Sequence, residues 1–483
     1  MPSLGRASPG SKLLWEGQAT GIQLGDCNSL FNTSTIGLLS DFGKPAKKRR
    51  TADGAGELGV LPDSRLSDVD NSNHELHWKP GKTMNRTTIA VAIALMFGST
   101  VQAAEEPLKI FILAGQSNMV GHSRGHTMGT LFNADGPKDQ ELTDLVFAQD
   151  AGLSRQRLEQ ARALARQLNE LTGGIGDPKI KAITDAASKA DAEARAEKMK
   201  ADLEAYKSEM AAASVVSERV YINSISDNNR KAGQLSIGHA GHGPTSIGPE
   251  YSFGLSLAKK VDGPILLIKT SWGGKSLNYD FRPPSAGAYV LNEKEQAKDN
   301  PEEILQNAGR FYRMMNEHVR AVLDNLKENH PAYDEAAGYE IAGFVWFQGF
   351  NDQFDPAFKA NYRDNMIAFV DDIRREYDVP QMPFVIGVLG TGQTKEKVDE
   401  NAVSVAQRDA AAAPRFKGNV VAVESYTEYA LDSLELFNAG WQKNYYEWDL
   451  VGSDRPYHYL GSGKFFVRLG DAFATAMAGM MSK

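Results

Sequence analysis

Short apolar runs separated by helix-length amphipathic stretches constrain the fold more than any other feature of this sequence. Lys109-Ile110-Phe111-Ile112-Leu113-Ala114 ends at Gly115, and similar runs recur at Arg219–Ile222, Pro264–Lys269, Ala342–Phe347, Pro383–Leu389 and Asn419–Val423. A run without polar alternates meets water on neither face, as in a strand of a parallel sheet covered on both sides. Between the runs, Glu303–Asn325 carries Ile304, Leu305, Phe311, Met315 and Val319. Ala357–Glu376 carries Phe358, Tyr362, Met366, Phe369 and Ile373, spaced three or four apart. Parallel strands need such helical crossovers. The pattern predicts an α/β fold with a parallel sheet between two helical layers. In open sheets of this kind the active site lies beyond the carboxyl ends of the strands, so reactive residues are expected just after the apolar runs.

Residues 151–213 break the pattern, holding 16 Ala and 21 charged residues. Leu158, Ala161, Ala165 and Leu168 form one stripe. Ile183, Ala187, Ala190 and Ala194 begin a second, which Met199, Leu203, Tyr206 and Met210 continue. With the glycine-rich link at 173–178 between them, the stripes predict an inserted helical hairpin with a narrow apolar seam. A surface coiled-coil arm is the expected form, and a lid over the active site is the other reading.

Residues 1–83 mix 11 Gly with many Ser and Asn, show no sustained period, and bury too little apolar surface to offset ordering their backbone. Lys47-Lys48-Arg49-Arg50 reads as a solvated charge run. Next come a short positive segment (84–88), the nearly all-apolar stretch Ile89–Phe97, and small residues through Ala103. These are the three regions of a secretory signal, in order. The expectation is that 84–103 is a signal peptide, that 1–83 is an over-extended N-terminus, and that residues 104–483 are exported to a periplasm or beyond. The only cysteine, Cys27, precedes the signal, so disulfide scaffolding and cysteine-based zinc sites are excluded. With 53 Lys+Arg against 61 Asp+Glu, the net charge of −8 offers no nucleic-acid footprint. No run reaches the roughly 18 apolar residues of a membrane span.

The first strand runs into Gly115-Gln116-Ser117-Asn118-Met119. A serine at a strand-to-helix turn exposes its hydroxyl where backbone N–H groups converge, which suits a nucleophile. Pro264–Lys269 runs into Thr270-Ser271-Trp272-Gly273-Gly274-Lys275-Ser276, and Ala342–Phe347 into Gln348-Gly349-Phe350-Asn351-Asp352. Near the C-terminus, Asp454-Arg455-Pro456-Tyr457-His458 precedes a Gly-Ser-Gly turn. His122, His126, His239 and His242 have metal-ligand spacing but no clear third ligand, and read as loop residues near the pocket. Trp272 and Trp346, beside the reactive loops, are read either as core or as platforms for a sugar ring.

This block order resembles that of the SGNH hydrolases. Within them the chain is similar to the sialate O-acetylesterase-like group and the sixth carbohydrate esterase family. Gly-Gln-Ser-Asn-Met at 115–119 resembles the nucleophile block of that group, and Trp346-Phe347-Gln348-Gly349-Phe350-Asn351-Asp352 its W-x-Q-G-x-x-D block. Ile247-Gly248-Pro249-Glu250 with Phe253-Gly254 resembles a further segment, and Glu250 is a candidate substrate contact. The resemblance implies a flavodoxin-like α/β/α sheet and an esterase, free of metal and cofactor, acting on acetylated carbohydrate. Ser117 is then the nucleophile and His458 the general base and acid. The Ser117 and Gly274 N–H groups and a side-chain amide, from Gln348 or Asn351, form the oxyanion hole. The group's usual spacing is D-x-x-H, whereas Asp454 and His458 have three residues between them. Either a turn at Pro456 restores the geometry, or Asp449 serves, or a backbone carbonyl orients His458 in a Ser–His dyad. The rival readings are an SGNH lipase or thioesterase acting on non-sugar esters, and a non-catalytic glycan-binding scaffold.

Overall fold

The computed structural model describes residues 106–133, 136–227, 229–241 and 243–482. The expected signal peptide, the N-terminal extension and His242 lie outside these residues.

Seven strands form one sheet. They are β1 (Leu108–Gly115), β2 (Val220–Ser226), β3 (Asn229–Gln234), β4 (Ile265–Ser271), β5 (Tyr339–Phe347), β6 (Phe384–Val388) and β7 (Val420–Glu424), in the order β3-β2-β4-β1-β5-β6-β7. All pairings are parallel except β2 with β3. Every apolar run singled out above is one of these strands. β3 was not anticipated. Its sequence, Asn-Arg-Lys-Ala-Gly-Gln, has no apolar run because it is an antiparallel edge, where Arg230 and Lys231 discourage pairing with another chain.

The alternation along β1 builds two cores. Ile110, Ile112 and Ala114 face one cluster, and Phe111 and Leu113 the other, all fully buried. The helices that position the site are α1 (Ser117–Val120), α2 (Arg155–Thr172), α3 (Ala186–Ala212), α4 (Pro249–Ala258), α5 (Arg310–Leu323), α6 (Pro356–Glu376), α7 (Ala402–Ala411), α8 (Tyr445–Val451) and α9 (Gly463–Met481). α4 and α9 pack on the Phe111 side, whereas α5, α6 and α7 pack on the Ile112 side. Among the described residues no helix is long and apolar enough to cross a membrane.

Two expectations about helices need correction. The helix expected over Glu303–Asn325 is broken into Pro301–Asn307 and Arg310–Leu323. Gly309 sits at φ 70° and donates its N–H to Tyr279 O (2.8 Å), while Phe311 N–H goes to Asp280 O (2.9 Å). These tertiary bonds capture donors that a continuous helix would use internally, and glycine accepts the left-handed turn.

The hairpin is present, but it is not a free arm. Leu158, Ala161, Ala165 and Leu168 are buried as expected, whereas Ala187, Ala190 and Ala194 are exposed. The buried stripe of α3 is Ala192, Ala196, Leu203, Tyr206 and Met210. Alanine alone gives the helix no contrast between faces. Its phase is set by Tyr206 and Met210, which join Met128 and Leu131 in the main core. Polar anchors complete the docking: Arg166 donates to Glu447 on α8 (2.8 Å), and Lys207 bonds Asp449.

Candidate active site

The turn expected to carry the nucleophile depends on a close approach. At Gly115 a Cβ would lie 2.1 Å from Phe347 O, so only glycine lets the ends of β1 and β5 meet there. The chain then turns into α1, with buried Ser117 as its first residue. As the first residue of the helix, Ser117 has an N–H with no partner inside α1. Behind the turn lies a buried ion pair. Lys269 Nζ on β4 donates to Val120 O at the end of α1 (2.9 Å) and to Glu250 Oε2 (2.8 Å), while Glu250 Oε1 accepts from Gly248 N–H (3.0 Å). Glu250 is fully buried and paired, so it is not the substrate contact expected of it. It braces α1 against β4, and losing either partner would leave the other charge buried and uncompensated.

Gln116 ties the nucleophile turn to the loop after β5. Its Oε1 accepts from Gly349 N–H (3.1 Å), Asn351 N–H (3.3 Å) and Gln348 Nε2 (3.2 Å), and its Nε2 donates to Asn351 Oδ1 (3.0 Å). This network separates the two amide candidates. Gln348 Nε2 has three acceptors, Gln116 Oε1, Lys275 O (2.9 Å) and Asp352 Oδ2 (2.6 Å), for its two hydrogens. Gln348 is buried and has no N–H to spare, which corrects its placing in the oxyanion hole. Asn351 Nδ2 gives one hydrogen to Gly274 O (2.9 Å) and keeps the other, with Gly274 exposed beside it.

Asp352 anchors both loops by accepting from Leu277 N–H (2.9 Å) and Asn278 N–H (3.0 Å). Burial pushes its carboxyl up to about 7, against the pull of the Asn278, Gln348 and Leu277 hydrogen bonds.

The C-terminal loop reaches the same place. Asn118 Nδ2 donates to Tyr457 O (3.2 Å), joining the residue after Ser117 to the residue before His458. The unusual Asp–His spacing is absorbed by a tight turn over Pro456–Gly461, in which Tyr459 and Leu460 take φ of 49° and 66°. Leu460 O accepts from Ser453 N–H (2.8 Å) and Asp454 N–H (3.0 Å), closing the loop. Buried Tyr459 accepts from Gly390 N–H at its hydroxyl (2.9 Å), which helps hold the strained backbone. The result places Asp454 Oδ2 3.0 Å from His458 Nδ1. Asp449 is elsewhere, paired with Arg124 (3.1 Å) and Lys207, and its carbonyl meets His126 Nε2 (2.6 Å).

Residues 237–428 match the family model described as carbohydrate esterase, sialic acid-specific acetylesterase. This segment of the chain is similar to that carbohydrate esterase family. The matched segment contains Gly274, Gln348 and Asn351, and ends before Asp454 and His458. Among solved structures, a protein from Arabidopsis thaliana is 15% identical over 66% of this chain and 86% of its own, with a TM-score of 0.32. A carbohydrate acetylesterase from Xanthomonas citri is 11% identical over 65% and 49%, with a TM-score of 0.28. NanS is 12% identical over 66% and 78%, with a TM-score of 0.32. No curated protein matches the chain.

The candidate site holds one residue that sequence reasoning missed. His122, expected only as a loop residue near the pocket, has its Nδ1 2.7 Å from Asp454 Oδ2, and its ring lies against that of His458, tilted by 30° with centroids 3.6 Å apart. Ser453 Oγ also donates to His122 O (3.1 Å). Burial pushes Asp454 up, but the hydrogen bonds from His122 and His458 outweigh it and hold the carboxyl well below the usual range. An ionised carboxylate only accepts, so both Nδ1 atoms carry hydrogens, and a neutral His458 then has Nε2 free as a base.

His239, Trp272 and Trp346 are committed to the protein interior. His239 Nε2 pairs with Gln234 O (3.1 Å). Trp272 packs against Phe311 (5.2 Å) and Trp346 against Phe369 (4.5 Å), both buried in the core and unable to present a face to a sugar.

Asn351→Ala is expected to cut kcat by about 10²–10³-fold with little change in KM, the usual result of removing one oxyanion donor. Gln348→Ala should instead show mainly as lost thermal stability, because it strips a donor from buried Asp352. Steady-state kinetics and melting curves of the two variants separate these roles.

Proposed function

We propose that the protein is an exported serine esterase that removes acetyl groups from carbohydrate hydroxyls. The contact between Asp454 and His458 carries this reading, because it orients the imidazole through Nδ1 and leaves Nε2 to act as a base beside the turn that holds Ser117. Ser117 Oγ attacks the acetyl carbonyl carbon as His458 Nε2 takes its proton. The developing oxyanion is met by the N–H groups of Ser117 and Gly274 and the spare N–H of Asn351. His458 returns the proton to the sugar oxygen as the tetrahedral intermediate collapses to acetyl-Ser117. Water, deprotonated by His458, then attacks the acetyl carbonyl, and acetate leaves as Ser117 regains its proton.

The similarity of residues 237–428 to an acetylesterase family model supports the acetylated carbohydrate, and the signal-like segment at 84–103 supports export. The test is acetate release from O-acetylated sialic acid and acetylated xylo-oligosaccharide against fatty acid release from a long-chain ester. A higher kcat/KM on an acetylated sugar is expected. Preference for the long chain would favour a lipase-like enzyme, and no turnover with no fluorophosphonate labelling would favour a binding protein.

A further inference from the structure

We propose that Phe354, Phe350 and Tyr457 form a stacking platform for the sugar ring that carries the ester. The inference rests on the esterase reading above and assigns its substrate a binding surface. The three rings touch in sequence from the imidazole outward through Tyr457 and Phe350, with Phe350 tilted 37° to Tyr457 and Phe354 edge-on to Phe350 at 77°. Tyr457 lies 4.5 Å from the His458 ring, Phe350 5.7 Å from Tyr457, and Phe354 5.2 Å from Phe350. Phe354 is 69% exposed and Tyr457 44% exposed. Among the described residues only Tyr339 joins them as an exposed large aromatic, so two of these three sit in one row beside the reactive histidine. Exposed apolar surface gathered at a catalytic loop marks a ligand surface more often than chance placement does.

The row is held in place from below. Phe354 closes the short turn Asp352–Phe354, whose first residue is pinned by the loop after β4. The next residue, Asp355, caps α6 through Ala357 N–H (2.8 Å). Tyr457 is fixed through its carbonyl by Asn118. The exposure of these rings is therefore imposed by anchored backbone.

The chemistry identifies the occupant. The leaving alcohol must lie beside His458, because His458 protonates it, and Tyr457 adjoins His458. A pyranose has a face of C–H groups and a rim of hydroxyls. An aromatic row takes the C–H face and leaves the hydroxyls in water. An aliphatic acetate has no such face and gains nothing from the row.

The test compares kcat/KM on the better of O-acetylated sialic acid and acetylated xylo-oligosaccharide with kcat/KM on vinyl acetate. Phe354→Ala and Tyr457→Leu should each lower the sugar-to-vinyl-acetate ratio by roughly tenfold, mainly through KM of the sugar. Phe354→Trp should restore the ratio. An unchanged ratio in both truncations, or a Phe354→Trp variant as impaired as Phe354→Ala, overturns the platform. Failure of the esterase reading looks different: the wild-type protein would then turn over neither substrate, or Ser117→Ala would hydrolyse both at the wild-type rate. If only the platform is wrong, Ser117→Ala is inactive and the ratio in the Phe354 variants stays constant.

Discussion

Ser117→Ala and His458→Ala are each expected to lower kcat for deacetylation by about 10⁴-fold or more, and the double variant to lose little beyond either single change. The nucleophile and its base share one proton transfer, so removing either removes the step. Residual turnover would come from the oxyanion donors and binding alone. Thermal unfolding should be nearly unchanged by Ser117→Ala, since the hydroxyl deletion removes no core packing. Losses that multiply in the double variant would mean that the two side chains act in separate steps, and the proposed mechanism would be wrong.

Asp454→Asn is expected to cost roughly 10⁴ in kcat, as when the charge behind a catalytic imidazole is removed in serine proteases. The substitution preserves shape but takes away the carboxylate that stabilises the imidazolium formed at the transition state. Here it also breaks a shared contact, because His122 and His458 both meet Asp454 Oδ2. Sugar binding should hardly change. A loss of tenfold or less would leave a Ser–His dyad oriented by something other than Asp454. The same residue makes a pH prediction. Its folded-state pKa lies below the ordinary value of 3.8, so it contributes stability above that pH, which is lost as the pH falls through the folded value. In Asp454→Asn that part of the acid-side loss should disappear, as melting curves taken across the acid range would report.

Much of this arrangement was legible from the chain. Fully buried parallel strands must be apolar on both faces, so β1, β2, β4, β5, β6 and β7 were visible as runs. Reactive residues of an open sheet follow strand ends, so Ser117, Gly274 and the Gln348–Asn351 loop could be placed before any coordinate was known. What stayed hidden depended on partners far away in sequence. β3 has no apolar face to betray it. The phase of α3 was ambiguous because alanine looks alike on every side until Tyr206 and Met210 dock.

Tertiary structure alone decided the rest. Gln348 and Asn351 carry the same amide, and their neighbours at Gln116, Gly274, Lys275 and Asp352 determine which keeps a free N–H. Glu250, Trp272 and Trp346 have chemistry suited to a substrate but are buried, whereas Phe354 and Tyr457, which sequence reasoning passed over, are exposed. The Asp454–His458 spacing departs from the pattern of the group the sequence resembles, and a strained turn at Tyr459 and Leu460, clamped by buried contacts, still brings the two side chains together. His122 meets Asp454 across 332 residues, a pairing that no local pattern encodes. Sequence by itself determined which groups could do chemistry and that strand ends would carry them. Burial and long-range hydrogen bonding decided which of those groups are free to act, because a donor or a ring already committed to the core has nothing left to offer a substrate.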